Sequence, residues 1–137
     1  MVRNVTLGEE IVISANNRPG LLGEIAKMLS AEGINIEAAS GFGTGRKAKL
    51  FIITNANITI VSKLKKKYKN VKEIEVVMVD IVNAPGALKT ITTILGKNKI
   101  DIKHLYVTSP TSGDSAKMVM VTSNNEAAMA LLTDYIK

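Results

Sequence analysis

The chain has 137 residues, of which 46% are hydrophobic, and its formal net charge is +6. This length suits one domain or two small units that share a core, and the composition excludes a disordered protein. Because there is no cysteine, the chain has no disulfide, zinc–thiolate site or thiol nucleophile. No apolar run approaches the roughly 20 residues of a membrane span, and the first ten residues lack the hydrophobic segment of a signal peptide. We therefore expect a cytoplasmic protein with no membrane partner.

The positive charge is concentrated in the first half of the chain. Residues 1–68 contain ten Lys or Arg and five Asp or Glu, whereas residues 69–137 contain eight and seven. Such an excess can mark a nucleic-acid surface. However, only 4% of the residues are aromatic, and base stacking needs aromatic side chains. We interpret the lysines at 63–67 as a solvated helix face, and the composition disfavours a nucleic acid partner.

An internal repeat organises the sequence. Residues 17–29 (NRPGLLGEIAKML) return 66 residues later at 83–95 (NAPGALKTITTIL), and both follow the pattern N-x-P-G-x-L-x-x-I-x-x-x-L. The match continues into the next segment, where 34–36 (INI) corresponds to 100–102 (IDI). A single Pro-Gly pair marks only a turn, but a duplicated pattern of this length indicates two related structural units.

The predicted elements follow in chain order from apolar periodicity and turn residues. In the first repeat they are a strand at 10–15, a turn at 16–20, a helix ending near Gly33, a strand at 34–40, a flexible hairpin at 41–46, a strand at 49–54 and a helix at 57–68. The residues expected to face the core from the two helices are Leu22, Ile25, Ala26 and Leu29, then Ile58, Val61, Leu64 and Tyr68.

The second repeat predicts the same order of elements. They are a strand at 76–82, a turn at 83–86, a helix at 87–96, a strand at 100–108, a hairpin at 109–115, a strand at 117–122 and a helix at 125–136. The offset between the repeats lengthens from 66 to 68 after the hairpin, which is a common kind of change in a surface loop.

Each repeat thus has one strand fewer than a ferredoxin-like βαββαβ unit. Residues 70–75 can complete the first unit, and residues 3–9 can complete the second, so we predict two long strands at about 4–16 and 70–82. We therefore predict an α+β fold of two ferredoxin-like units, 1–70 and 71–137, side by side with this strand exchange. Their joined sheet would have about eight antiparallel strands, with the helices on one face. The alternative is exchange of the N-terminal strand with another chain, which would give a swapped dimer.

The strand, the N-x-P-G turn, the helix with its apolar stripe and the following Gly-Ile-Asn-Ile segment resemble the ACT domain. Two of them in tandem resemble the small stand-alone ACT proteins, and the resemblance covers nearly the whole chain. It implies pairing of units through sheet edges and regulatory binding of small molecules, most often amino acids. It implies no catalysis by the domain and no cofactor. The implied partners are a free amino acid, further copies of the chain in a homodimer or higher oligomer, and a separate enzyme.

The chemistry of the turn agrees with such a ligand. The first amides of a helix have no intrahelical acceptors and, with the helix dipole, favour a carboxylate. Asn17 offers a donor and an acceptor, and Gly20 lets the backbone approach a ligand closely. The start of the second strand is expected beside the turn, and by resemblance it supplies backbone contacts across a unit interface. The predicted ligand-binding residues are Asn17, Pro19, Gly20, Leu21, Leu22, Asn35 and Ile36 in the first repeat, and Asn83, Gly86, Ala87, Leu88, Asp101 and Ile102 in the second.

Three differences separate the two predicted sites. Ala84 replaces Arg18, Lys89 replaces Gly23, and Asp101 replaces Asn35. The two sites are therefore expected to bind different ligands, or one of them to be vestigial. The alternative for both turns is purely structural, with the asparagine capping its helix or bonding its own loop.

Nothing in the sequence predicts an enzyme. His104 is the sole histidine, and one histidine without cysteine makes neither a metal cluster nor a catalytic triad. The glycine-rich segment 41–45 lies between two predicted strands, whereas a dinucleotide loop joins a strand to a helix. The predicted function is an allosteric amino acid sensor for a separate enzyme or regulator. The alternatives are an interaction or oligomerisation subunit without a ligand and, with less support, an RNA-binding ferredoxin-like protein.

Overall fold

A computed structural model of the chain describes residues 1–109 and 114–136, so most of the predicted hairpin at 109–115 lies outside the described residues. The strands are β1 Val2–Asn16, β2 Ile36–Thr44, β3 Lys47–Thr54, β4 Asn70–Val82, β5 Ile102–Thr108 and β6 Ser115–Thr122. The helices are α1 Leu21–Ala31, α2 Asn57–Lys67, α3 Ala87–Lys97 and α4 Asn125–Thr133. The predicted α+β class is confirmed.

The prediction of about eight strands is wrong, because the described residues form six. The prediction counted each half of the two long strands separately. β1 is continuous over 15 residues and β4 over 13. Neither contains proline, which would remove a ladder hydrogen bond and end or bend the strand.

The chain divides into two compact units, and each long strand contributes one half to each of them. The N-repeat unit is Glu9–Ile74, and the C-repeat unit is Glu75–Lys137 together with Met1–Gly8. Neighbouring strands run in the order β2-β3-β1-β4 in the N-repeat unit and β1-β4-β6-β5 in the C-repeat unit. The registers place Ile11 opposite Ile52 on β3 and Val77 opposite Met120 on β6, both in antiparallel pairs.

In each unit both helices pack against the same face of the sheet. In the N-repeat unit, alternate residues of β1 and β3 share one core with α1 and α2, because successive strand residues point to opposite faces. The fully buried members of this core include Ile11, Ile13, Ile25, Leu29, Ile52, Ile60 and Leu64. The C-repeat unit has an equivalent core, whose members include Val77, Val79, Ile91, Leu95, Met118, Met120 and Leu132.

The predicted core faces of α1 and α2 are each partly wrong. Leu21 is buried, whereas Leu22 is 48% exposed. Ile60 and Leu64 are buried, whereas Ile58 is 87% exposed. Apolar spacing alone did not reveal which of the first residues of each helix face the core.

The Asn57 side chain belongs to a polar anchor that occurs in both units. Its Oδ1 accepts hydrogen bonds from the Thr54 backbone N–H at 2.9 Å and from the Thr54 hydroxyl at 2.6 Å, and its Nδ2 donates to the Glu9 carbonyl at 2.8 Å. Asn125 makes the same set, with Thr122 at 2.9 and 2.8 Å and with the Glu75 carbonyl at 3.1 Å. Each anchor ties the start of a helix to two strands of its own unit.

The prediction of a flexible hairpin at 41–46 is wrong, because the connection is shorter. β2 continues to Thr44, and only Gly45 and Arg46 connect it to β3. A Cβ at position 43 would lie 2.6 Å from Nδ2 of Asn17, so a larger residue there would displace the Asn17 side chain. The final helix is also shorter than predicted, since it ends at Thr133, and Ile136 instead bridges to Val2 within the C-repeat unit.

Candidate functional site

The Pro-Gly turns begin α1 and α3 through a left-handed backbone. Gly20 has φ 85° and Gly86 has φ 87°, a conformation that costs other residues about 1–2 kcal/mol. At the first turn, Leu21 N–H donates to the Arg18 carbonyl at 3.3 Å and Glu24 N–H to Gly20 at 2.9 Å. Within the part of the chain that the structure describes, the N–H groups of Leu22 and Gly23 meet no backbone acceptor, so they can bind an anion.

Asn17 fastens this turn to the hairpin between β2 and β3. Its backbone N–H donates to the Arg46 carbonyl at 2.8 Å, and its side-chain Nδ2 donates to the Gly45 carbonyl at 3.3 Å. Asn83 makes the corresponding backbone bond to Asp114 at 2.7 Å. Asn17 therefore neither caps α1 nor bonds its own loop, and among the described residues its Oδ1 accepts no hydrogen bond.

A cavity of about 400 Å³ opens between the first turn and the sheet of the N-repeat unit. Four predicted site residues line it, namely Asn17, Gly20, Leu21 and Leu22, whereas Pro19, Asn35 and Ile36 do not. The remaining lining residues, which sequence reasoning did not include, are Arg18, Ala39, Ser40, Gly41, Phe42, Gly43, Ala48 and Leu50. The small residues at 39–41 and 43 were the available signal, since they leave space beside the turn.

The N-repeat unit resembles a known protein family. Residues 10–73 match the ACT domain. This match corresponds closely to the N-repeat unit and does not extend into the second repeat, where an ACT domain stays a prediction. No curated protein matches the chain.

Solved structures similar to this chain share its fold. Protein BT0572 from Bacteroides thetaiotaomicron superposes with a TM-score of 0.87 at 23% identity, over 96% of this chain and 90% of that one. The ligand-free regulatory subunit of aspartate kinase from Thermus thermophilus gives a TM-score of 0.63 at 15% identity, over 99% of both chains. E. coli aspartokinase III in complex with lysine and aspartate gives 0.56 at 13% identity, over 99% of this chain and 33% of that one.

Within the N-repeat unit, the turn lies beside the end of β2. The expectation that the start of β2 lies there is wrong for this unit, because Ile36 pairs with Thr54 at the far end of β3, and Gly43 pairs with Ala48 near the turn. The helix α1 carries the chain back along the sheet before β2 begins, so β2 reaches the turn only at its end. Asn35 is held by Asn55, whose Oδ1 accepts from the Asn35 N–H at 3.2 Å.

Arg18 connects the turn cavity to the end of α2. Its guanidinium lies 2.5 Å from Oε2 of Glu24, and Oε1 of Glu24 accepts from the Tyr68 hydroxyl at 2.7 Å and from Lys67 Nζ at 2.8 Å. Hydrogen bonds from Lys67, Tyr68 and Arg18 lower the pKa of Glu24 to about 2. Burial and the Glu24 carboxylate raise the pKa of Tyr68 to about 12, so Glu24 stays ionised and Tyr68 neutral at physiological pH.

The predicted ligand-binding residues of the second repeat lie at equivalent places in the C-repeat unit, but several of their side chains differ. Ala87 is buried in the core, Leu88 is 43% exposed, and Ile102 packs partly against the core. Asp101 exchanges hydrogen bonds with Ser123, through its N–H to Oγ at 2.9 Å and through its carbonyl at 2.8 Å. The segment that would match residues 41–45 lies partly at 110–113, outside the described residues.

Other kinds of site find little support in the part of the chain that the structure describes. Its residues contain no group of three His, Cys, Asp or Glu that could hold a metal ion. None of its helices combines the length and the apolar character that a bilayer crossing requires. The candidate functional site is the turn cavity, which is lined by Arg18 and by Leu22 with its free amide.

Proposed function

We propose that this protein is a regulatory sensor that binds a free amino acid in the turn cavity of the N-repeat unit. The observation that carries the proposal is a cavity of about 400 Å³ whose lining includes Asn17, Arg18 and Leu22, the last with an unpaired backbone N–H. Small-molecule sites usually occupy about 300–1,000 Å³ and contain a few convergent polar groups in an apolar lining.

Each part of an amino acid has a counterpart in this cavity. The N–H group of Leu22 and the positive end of α1 favour the carboxylate. The free Oδ1 of Asn17 can accept a hydrogen bond from the ammonium group. Leu22 is 48% exposed and Phe42 is 50% exposed, so both present apolar surface to the ligand's side chain.

The similar structures support a regulatory role. One of them is the regulatory subunit of an aspartate kinase, and another is an aspartokinase solved with lysine and aspartate. By analogy, this chain would act on a separate enzyme as part of a homodimer or higher oligomer, with two ACT domains in tandem and the second site at Asn83–Leu88. Binding would regulate the partner only if the ligand prefers one of two arrangements of the sensor.

The first test is a thermal-shift scan of the full chain against the twenty amino acids at millimolar concentration. A ligand present at about 100 times its dissociation constant adds about 2.7 kcal/mol to stability, and a melt of a small protein resolves this change. The informative variant is Leu22→Arg, which places a long charged side chain at the cavity. Leu88→Arg is its matched control, because Leu88 is similarly exposed at the equivalent position of the second repeat.

We expect one amino acid to raise the melting temperature, and we expect Leu22→Arg to abolish that shift while Leu88→Arg retains it. A shift that survives Leu22→Arg but is lost in Leu88→Arg would move the site to the second turn. If no amino acid shifts the melt, the sensor proposal fails, and an interaction subunit without a ligand becomes the better description.

A further inference from the structure

A second cavity in the N-repeat unit is polar and strongly basic. Its volume is about 390 Å³, and none of its lining residues belongs to the turn cavity. The lining residues are Ser14, Ala15, Asn16, Lys47, Lys67, Tyr68, Lys69 and Asn70. We refer to this cavity as the lysine cleft.

The antiparallel sheet brings the three lysines together from distant parts of the chain. The register of β1 and β3 places Asn16 opposite Lys47, so the end of β1 lies beside the start of β3. The chain leaves α2 at Lys67 and enters β4 at Asn70, which brings Lys67 and Lys69 to the same end of the sheet.

The charges in the lysine cleft are poorly neutralised. Its lining contains three ammonium groups and no carboxylate. Among the described residues, neither Lys47 nor Lys69 forms an ion pair, and Lys47 Nζ reaches only Asn16 Oδ1, at 3.5 Å. Lys67 contacts Glu24, whose carboxylate is shared with Arg18 and Tyr68. Like charges gathered in a concave site repel one another and attract a polyanion.

The equivalent positions of the C-repeat unit differ in this respect. There Arg3, the counterpart of Lys69, is paired with Asp114 at 2.9 Å. Asp80, the counterpart of Ser14, lies 3.9 Å from Lys117, and Ser115 stands in place of Lys47. Because the shared fold is stable with these groups paired or absent, the fold itself does not require the lysine cleft.

We propose that the lysine cleft binds a phosphate-bearing small molecule, whose phosphate oxygens contact Lys47, Lys67 and Lys69. Lysine binds phosphate as a point charge, and hydrogen bonds between charged groups are about twice as strong as neutral ones. Ser14 and Asn70 supply further donors to oxygen. Nucleic acid fits less well, because the one aromatic lining residue, Tyr68, is buried and its hydroxyl is bonded to Glu24, leaving no ring on which a base can stack.

Calorimetric titration of the full chain with pyrophosphate tests this site, in about 0.15 M salt so that weak long-range attraction is screened. The double variant Lys47→Gln/Lys69→Gln removes two of the three cations. The control Lys66→Gln/Lys97→Gln changes the net charge equally at two exposed lysines outside the cleft. Melting curves of both variants verify that they fold.

We expect saturable binding that weakens at least about tenfold in the cleft variant, because most of its charge-assisted contacts are lost, and that stays within about twofold in the control. Equal weakening in both variants would show diffuse attraction to a basic protein and would overturn the proposal, as would the absence of saturable binding. A short RNA that displaces pyrophosphate and binds more tightly would replace the small molecule with nucleic acid. None of these outcomes depends on amino acid binding at the turn.

Discussion

The N-repeat and C-repeat units share their frame and differ in the polar groups placed on it. Both have a glycine with left-handed backbone before the first helix and a Thr–Asn anchor before the second. Among the residues that the structure describes, charged groups join the turn to the second helix in the N-repeat unit but not in the C-repeat unit. The counterparts of Arg18, Glu24, Lys67 and Tyr68 are Ala84, Thr90, Tyr135 and Ile136.

Polar contacts that occur in both units belong to the shared fold, whereas contacts that occur in one unit are not required for it. The Thr–Asn anchors, which both units keep, hydrogen-bond backbone groups of two strands to the start of the second helix. The Arg18–Glu24–Lys67 contacts are dispensable for the fold, and they lie between the turn cavity and the lysine cleft. The features that differ are therefore the better guide to function.

The anchors should produce the largest effect and should do so equally in both units. Asn57→Ala leaves the Thr54 N–H and the Glu9 carbonyl without partners, at a cost of about 2–3 kcal/mol in the free energy of unfolding. Asn125→Ala should cost about the same. Asn124→Ala, which removes the single cap bond to Ala127, should cost only about 1 kcal/mol. Urea denaturation measures the free energy of unfolding of all three variants. If Asn57→Ala and Asn125→Ala lost clearly different amounts, the two anchors would not be equivalent.

The turn glycines should have the next largest effect. Gly20→Ala and Gly86→Ala should each destabilise by about 1–2 kcal/mol because of the positive φ alone, since a Cβ at either position meets no atom within 4 Å. Gly23→Ala is the control, because its Cβ also meets nothing within 4 Å, and there alanine should stabilise the helix by up to about 1 kcal/mol. If Gly20→Ala left the free energy of unfolding unchanged, backbone strain would not explain why both repeats have glycine in this turn.

The charged contacts of Glu24 should have the smallest effect, and it should depend on pH. Its folded pKa of about 2 lies below the ordinary value of 4.5, so its stabilisation is full above about pH 4.5 and is lost as the pH falls toward 2. Glu24→Gln should therefore lower the melting temperature at pH 7 and make progressively less difference below pH 4.5. The equivalent Thr90→Val should shift the melting temperature equally at every pH. A pH-independent effect of Glu24→Gln would contradict the role of its charge.

Much of the fold could be predicted from the repeat itself. The pattern at 17–29 and 83–95 located both turns and both following helices, and β4 was predicted as 70–82, as observed. The face of α2 that packs on the core was not predictable in the same way, because Ile58 and Ile60 both fit an apolar stripe. The hydrogen bonds of Asn57 fix the start of this helix on the sheet. A sequence signal for these anchors was available, because the pattern T-x-x-N occurs at 54–57 and again 68 residues later at 122–125.

The candidate site was predictable only in part. Local chemistry identified Asn17, Gly20, Leu21 and Leu22, because a turn and a helix N-terminus are formed by neighbouring residues. It missed residues 39–43, and the placement of the start of β2 beside the turn was wrong, because the direction of β2 depends on how α1 crosses the sheet.

The sequence by itself determined where this chain turns, where its helices begin and that its two halves follow one plan, since these depend on contacts between residues close in the chain. Only the tertiary structure decided which side chains meet across the sheet. Lys47 and Lys69 are separated by an entire strand and helix in sequence, yet they line one cleft. Such a meeting depends on strand order and register, which arise from packing of the whole core.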